Sequence, residues 1–264
     1  MALKIIFMGT PDFSVPILEA LHKSEHKIIQ VYTQPPKKKN RGQKVNFDSV
    51  YNFSHQNNIK VRFPDKFDEN EISFLKSLKA DIVVVVAYGK ILPTKLLNIN
   101  GLKFINIHAS ILPKWRGAAP IQRAIMNLDK ETGISIMKII PELDAGPVMM
   151  ISKVKILKET NFEMLSEQLS NLGAKMILKC LDLLESKKEN FIDQNSNIAT
   201  YANKISKAES KIDWFNNADK IIAKVNAFYP NPGCWFNYKG SRLKVLKAAE
   251  IKATGKPGEI IKDN

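Results

Sequence analysis

Apolar residues along this chain follow two alternating periods. Short unbroken runs bounded by Gly, Pro, Asn or Asp predict strands at residues 4–8, 28–33, 59–62, 81–86, 104–108, 133–139 and 148–156. Segments with apolar positions three or four apart predict helices at 15–23, 46–57, 69–78 and 120–128. The run DIVVVV at 81–86 is β-branched and continuous, as expected of a strand covered on both faces. Strands alternating with helices predict an α/β fold built on an open, mostly parallel sheet with right-handed crossovers. A long helical pattern follows over 161–186, with Phe162, Leu165, Leu169, Leu172, Met176 and Leu183 near helical spacing. The polar stretch 187–197 reads as an exposed connection. From about residue 206, short segments punctuated by Pro and Gly predict a smaller, partly β domain. The expected organisation is a first domain over 1–187, a linker over 188–205 and a second domain over 206–264.

Composition narrows the class. With 264 residues, 44% hydrophobic and 25% charged, the chain is neither collagen-like, low-complexity nor disordered. It is long enough to bury a core without disulfide or metal staples. Its two cysteines, Cys180 and Cys234, have the spacing of neither a disulfide framework nor a zinc site, so a reducing, cytoplasmic compartment is expected. No run reaches the ~18 apolar residues of a membrane span, and the first apolar run meets Gly-Thr-Pro-Asp, not a signal-peptide cleavage site. The net charge is +14, carried by 35 lysines and five arginines. Part of that is general lysine richness. A sharper feature is PPKKKNRGQK, where Lys37, Lys38, Lys39, Arg41 and Lys44 stand without an acid and Pro35, Pro36 and Gly42 predict a loop. A solvated turn and a phosphate-backbone contact both fit such a loop. Residues 204–264 hold 12 basic and six acidic residues, a further basic surplus.

The candidate chemistry lies between 104 and 150. Asn106 and His108 are two apart on one predicted strand, so their side chains share a face at its C-terminal end, where open α/β sheets bind ligands. A turn-rich loop, Ser110-Ile111-Leu112-Pro113-Lys114-Trp115-Arg116-Gly117, leads into the next helix, and Asp144 precedes Ala145-Gly146-Pro147. Each residue alone has an ordinary structural explanation. Together an amide, an imidazole and a carboxylate form a proton-transfer and oxyanion-stabilising set. No Ser or Cys nucleophile sits beside a base and no metal-ligand spacing occurs, so direct attack by a substrate amine suits these residues better than covalent or metal catalysis. The loop Gly9-Thr10-Pro11-Asp12 lacks G-x-G-x-x-G and gives little support to a dinucleotide. His22, His26 and His55 read as surface residues.

The segments MGTPDFSVPILEAL, TQPP with its following Arg-Gly, AYGKILP, NIHASILPKWRGAAPIQRAI, ETGISIMKI and LDAGPVM closely resemble the methionyl-tRNA formyltransferase family, one branch of the 10-formyltetrahydrofolate-dependent formyltransferases. The similarity runs from residue 3 to about 156 and resumes in YANKISK, IDW and the Ala-Phe-x-Pro-x-Pro-Gly segment. It implies a Rossmann-like N-terminal catalytic domain and a C-terminal β domain that binds tRNA. It implies that Asn106, His108 and Asp144 carry formyl transfer, with Asn106 donating to the formyl oxygen, His108 acting near that oxygen and Asp144 managing protons at the amine. Tyr88, Gly89, Ile91, Leu92, Ser110, Ile111, Leu112 and Pro113 would border 10-formyltetrahydrofolate. Lys37, Lys38, Lys39, Arg41 and Lys44 would face initiator methionyl-tRNA, with Arg41 offering planar stacking and bidentate phosphate contact. No metal and no membrane are implied, and a monomer is expected.

Two departures from the family pattern stand out. Asn226 occupies a position where the family usually carries arginine, and the chain ends at Gly258–Asn264, where family members continue. The expectation is an incomplete C-terminal barrel with weakened tRNA affinity. Formyl transfer to a small amine such as an amino sugar nucleotide, and a catalytically idle basic RNA-binding protein, remain as alternatives.

Overall fold

The computed structural model describes residues 2–39 and 44–261, with the backbone alone at 37–39, 44 and 45. A seven-stranded sheet forms the centre. Its members are β1 (Lys4–Gly9), β2 (Lys27–Tyr32), β5 (Val61–Arg62), β6 (Ile82–Val86), β7 (Lys103–His108), β9 (Glu131–Lys138) and β10 (Val148–Lys155). They lie in the order β10-β9-β7-β6-β1-β2-β5. The five strands from β7 to β5 are parallel, and β9 and β10 add an antiparallel edge. The mostly parallel α/β fold expected from the sequence is the one observed.

The helices are α1 (Val15–Lys23), α2 (Ser49–Gln56), α3 (Glu69–Ser77), α4 (Thr94–Leu97), α5 (Pro120–Met126), α6 (Phe162–Glu185) and α7 (Ala218–Phe228). Local chemistry sets several of their starts. Asp48, Asp68 and Asn161 accept hydrogen bonds from the Tyr51, Glu71 and Met164 amides and so cap α2, α3 and α6. All five residues of β6 are buried, because apolar clusters cover both sheet faces. One face packs on α1 and α6, whose Leu165, Leu169, Ile177 and Leu181 are fully buried at helical spacing. Gly173 lets α6 approach closely: a Cβ there would lie 3.2 Å from Ile17 and 3.3 Å from Ile107. On the other face, Leu75 of α3 and Leu96 of α4 pack with Phe104, Val83 and Val85.

Beyond α6 the chain returns along the sheet edge. Ile192 exchanges backbone hydrogen bonds with Val148 at 2.8 and 2.9 Å. β11 (Tyr201–Ala202) pairs in parallel with β8 (Arg116–Gly117). The stretch expected as an exposed connection is therefore anchored to the first domain at several points. The remainder is small: α7 packs against α5, and a hairpin joins β12 (Cys234–Tyr238) to β13 (Ser241–Val245). Ile212, Val225, Phe228 and Cys234 form its core.

Three local expectations need correction. The basic segment was expected as a loop, but β3 (Lys37–Lys39) and β4 (Lys44–Asn46) pair as an antiparallel hairpin, since backbone pairing tolerates lysine side chains. Arg41 lies outside the described residues. His26 is buried, not a surface residue, and its Nδ1 accepts the Leu3 amide at 3.2 Å. The helix α7 was not expected, because its apolar stripe runs directly into Tyr-Pro-Asn-Pro-Gly, which reads as punctuation.

Candidate active site

The C-terminal ends of the parallel strands gather the sequence-predicted residues on one edge. In register, Val85 pairs with Asn106 across β6 and β7, and Met8 pairs with Val85 across β1 and β6. The turns after β1, β2, β6 and β7 therefore open on the same side, as in other open α/β sheets that bind ligands there.

Asn106, His108 and Asp144 meet. Asn106 Nδ2 donates to Asp144 Oδ1 at 3.3 Å, and His108 Nδ1 lies 3.6 Å from Asp144 Oδ2. The Gly117 amide donates to Asp144 Oδ2 at 2.8 Å. His108 Nε2 lies 2.8 Å from the Trp115 carbonyl oxygen. A carbonyl only accepts, so Nε2 carries a proton, and Nδ1 is the ring nitrogen turned toward Asp144. Nδ1 and the Asp144 carboxylate thus stand close enough to pass a proton between them. The second N–H of Asn106 has no partner among the described residues.

The loop that presents the Trp115 carbonyl is held from several sides. Trp115 adopts φ +62°, uncommon for a residue with a side chain. Its indole N–H donates to Asp129 at 2.7 Å, Lys114 pairs with the same carboxylate at 2.8 Å, and its amide donates to Thr200 Oγ1 at 2.9 Å. Ser135, opposite His108 on β9, accepts the Leu112 amide at 3.1 Å and donates to the Ser110 carbonyl at 2.7 Å. The Ser110–Pro113 loop is thereby fixed beside His108, with Ser110 and Leu112 buried.

The segment after β6 is arranged differently. Tyr88 is buried, burial pushes its phenol well above the ordinary range, and its hydroxyl has no partner among the described residues. Its carbonyl accepts from Thr10 Oγ1 and Gln34 Nε2, each at 3.0 Å. Gly89 takes φ +75°, and a Cβ there would lie 2.4 Å from Gln34 Nε2. Leu92 is buried, whereas Ile91 is 93% exposed. The basic hairpin stands after β2, two strands from β6. Asn226, on α7, donates to the Lys158 carbonyl at 3.2 Å and lines a groove together with Asp129 and Lys130. Among the described residues one carboxylate–histidine group, Glu25, His26 and Asp182, has the spacing to hold a metal ion, and it lies beside the start of β2, at the opposite edge.

Sequence reasoning missed several contributors. Gly117 offers its amide, Trp115 its carbonyl, and Gln194 donates to the carbonyls of Asp144 at 2.9 Å and Gly146 at 2.7 Å. Trp115 and Gly117 stand inside the motif already singled out. Gln194, in a polar stretch, carries no signal in the sequence.

Comparison with known proteins defines the class. The formyl transferase family model matches residues 3–181, and the model of the formyl transferase C-terminal domain matches residues 204–264. Among solved structures, a 4-N formyltransferase from Francisella tularensis has the same fold, with a TM-score of 0.73 at 19% identity, over 94% of this chain and 99% of that one. HypX from Aquifex aeolicus in complex with tetrahydrofolic acid matches at a TM-score of 0.68 and 16% identity, over 98% of this chain and 40% of that one. Methionyl-tRNA formyltransferase of Pelagibacter ubique is 49% identical over all of this chain and 86% of its own length. That of Paramagnetospirillum magneticum is 43% identical over 99% of this chain and 86% of its own length. The chain belongs to the methionyl-tRNA formyltransferase family.

Proposed function

We propose that the chain transfers the formyl group of 10-formyltetrahydrofolate to the free amino group of methionine on initiator methionyl-tRNA, giving N-formylmethionyl-tRNA. Family membership supports the reaction, and the meeting of Asn106, His108 and Asp144 at the sheet edge is the observation that carries it. The folate supplies the formyl carbon: the bond from the methionyl nitrogen to that carbon forms, its bond to folate N10 breaks, and the proton lost by the amine is taken up at N10. Tyr88, Gly89, Ile91, Leu92 and the Ser110–Pro113 loop hold the folate in this reading.

Each polar group has one task. The unpaired N–H of Asn106 donates to the formyl oxygen as negative charge builds there, the kind of contact worth about 10²–10³ in rate. Asp144, held by Gly117, accepts a proton from the attacking amine. His108 shares that proton through Nδ1, because Trp115 keeps Nε2 protonated. No metal is required, since the amide supplies the donor and the carboxylate and imidazole supply the proton acceptors. The basic segment with Lys37, Lys38, Lys39, Arg41 and Lys44 and the basic residues of 206–264 meet tRNA phosphates. Residues 1–187 carry the catalysis and 206–264 the further tRNA contact. Two free, buried cysteines accord with a cytoplasmic enzyme.

The test is formyl transfer to methionyl-tRNA beside an amino sugar nucleotide, with His108→Ala as control. The expected result is turnover on methionyl-tRNA that weakens steeply with salt and falls about 10²- to 10⁴-fold in the control. Turnover on the small amine alone refutes the proposed acceptor.

A further inference from the structure

Gln194 lies in the connection between α6 and β11, 50 residues from Asp144 in sequence. Its side-chain amide is fully engaged. Both N–H groups donate, one to the Asp144 carbonyl at 2.9 Å and one to the Gly146 carbonyl at 2.7 Å. Its Oε1 accepts from Arg116 twice, from Nε at 3.0 Å and from an Nη at 2.9 Å. Arg116 is buried, and its backbone amide donates to the Thr200 carbonyl at 2.8 Å, so the anchor behind Gln194 is itself fixed.

Asp144 adopts φ +46°, a left-handed conformation that a residue with a side chain keeps only where the surroundings over-determine it. Gln194 clasps the carbonyls on both sides of Ala145 and fastens them to Arg116. The carboxylate of Asp144 is thereby aimed at the Gly117 amide, His108 and Asn106. Only a primary amide offers two donors to the carbonyls and an acceptor to the guanidinium at once. A glutamate keeps the acceptor for Arg116 but turns a lone pair against two carbonyl oxygens.

We propose that Gln194 is a positioning residue for Asp144: through Arg116 it holds the Asp144–Gly146 turn in the one conformation that directs the carboxylate at the site. The role given to Asp144 rests on the proposed formyl transfer, whereas the clasp itself does not. If that clasp opens, the carboxylate leaves its partners while the folate-lining segments 88–92 and 110–113 stay in place.

The test compares wild type with Gln194→Glu, and with Gln194→Asn, which keeps the amide but is one methylene shorter. Thermal melting and the 1H–15N spectrum establish that each variant is folded. Two readouts follow: kcat and KM for formyl transfer, and the 1H shift of the Gly117 amide, whose proton lies against Asp144. The expected result is a kcat lowered about 10- to 100-fold, a KM for the folate changed less than about threefold, and a Gly117 resonance displaced toward its position in Asp144→Ala. A purely structural role would lower the melting temperature and leave Gly117 and the kcat of folded protein unmoved, and that outcome overturns the proposal. If wild type formylates a different amine, the acceptor assignment fails, yet the Gly117 readout still decides the clasp. Should Gln194→Glu not fold, the same two readouts on Gln194→Asn decide it.

Discussion

Replacing Asn106 by aspartate probes the site most sharply, because it alters one atom group and two interactions. In the native site Asn106 Nδ2 donates to Asp144 Oδ1 at 3.3 Å. Aspartate turns that contact into two carboxylates at about the same separation. Coulomb's law with an effective dielectric of about 20 gives 332/(20 × 3.3), or about 5 kcal/mol, of repulsion between the ionised pair. A cost of that size exceeds what most sites tolerate, so the pair holds one proton between its oxygens at neutral pH and titrates as a unit. The Asp144 carboxylate is then no longer free to take a proton from an amine, and the donor to the formyl oxygen is gone as well. Asn106→Ala removes only the donor, for an expected loss of about 10²–10³ in kcat. Asn106→Asp should lose more, by roughly a further 10²-fold, the lower end of what a proton-transfer group contributes. The assay is single-turnover formyl transfer at saturating folate, run on wild type and both variants, with thermal melting to confirm folding. An alanine variant within about threefold of wild type, far less than the loss of such a donor predicts, would refute the role of the amide. An aspartate variant equal to the alanine variant would refute the charge argument.

Two other outcomes follow from the same structure. A Cβ on Gly146 would lie 1.9 Å from the Lys138 carbonyl oxygen, so Gly146→Ala must displace either β9 or the Asp144 turn. The expected cost is about 1–3 kcal/mol of stability, seen as a lower midpoint in urea, together with a fall in kcat. Burial alone raises the pKa of Glu71, but hydrogen bonds from Arg62 and Tyr32 outweigh it and hold the carboxyl below its ordinary value. A lowered folded-state pKa means this contribution is present above the unfolded-state pKa and is lost as pH falls through the folded one. Melting curves of wild type and Glu71→Gln should therefore differ at pH 7 and converge under acid, and a difference that grows on acidification contradicts the argument.

Much of the architecture was legible because it depends on short-range pattern. The all-buried IVVVV of β6 declared a central strand, and the two-residue spacing of Asn106 and His108 placed both on one face of β7. The loop Ser110–Gly117 and Asp144 could be singled out because their motifs are local. What stayed hidden depends on distance along the chain. Gln194 looks like any polar residue of a connection, and its partners Arg116 and Asp144 are 78 and 50 residues away. His26 was misread because burial beside Leu3 follows from packing and leaves no mark on its neighbours in sequence. The hairpin of β3 and β4 was read as a loop because composition weighed more than pairing, which single-strand patterns do not reveal.

The pairing of β11 with β8 orders events in time. The Arg116 and Ala118 amides donate to the Thr200 and Ala202 carbonyls, and the Trp115 amide donates to Thr200 Oγ1, so the loop takes its partners from chain made much later. During synthesis the sheet strands and α6 are made before residues 192–202, so the loop that steadies His108 meets these partners only after the sheet strands exist. The loop beside His108 is thus completed by chain that lies 85 residues further on, and it holds its shape only while that short strand stays docked.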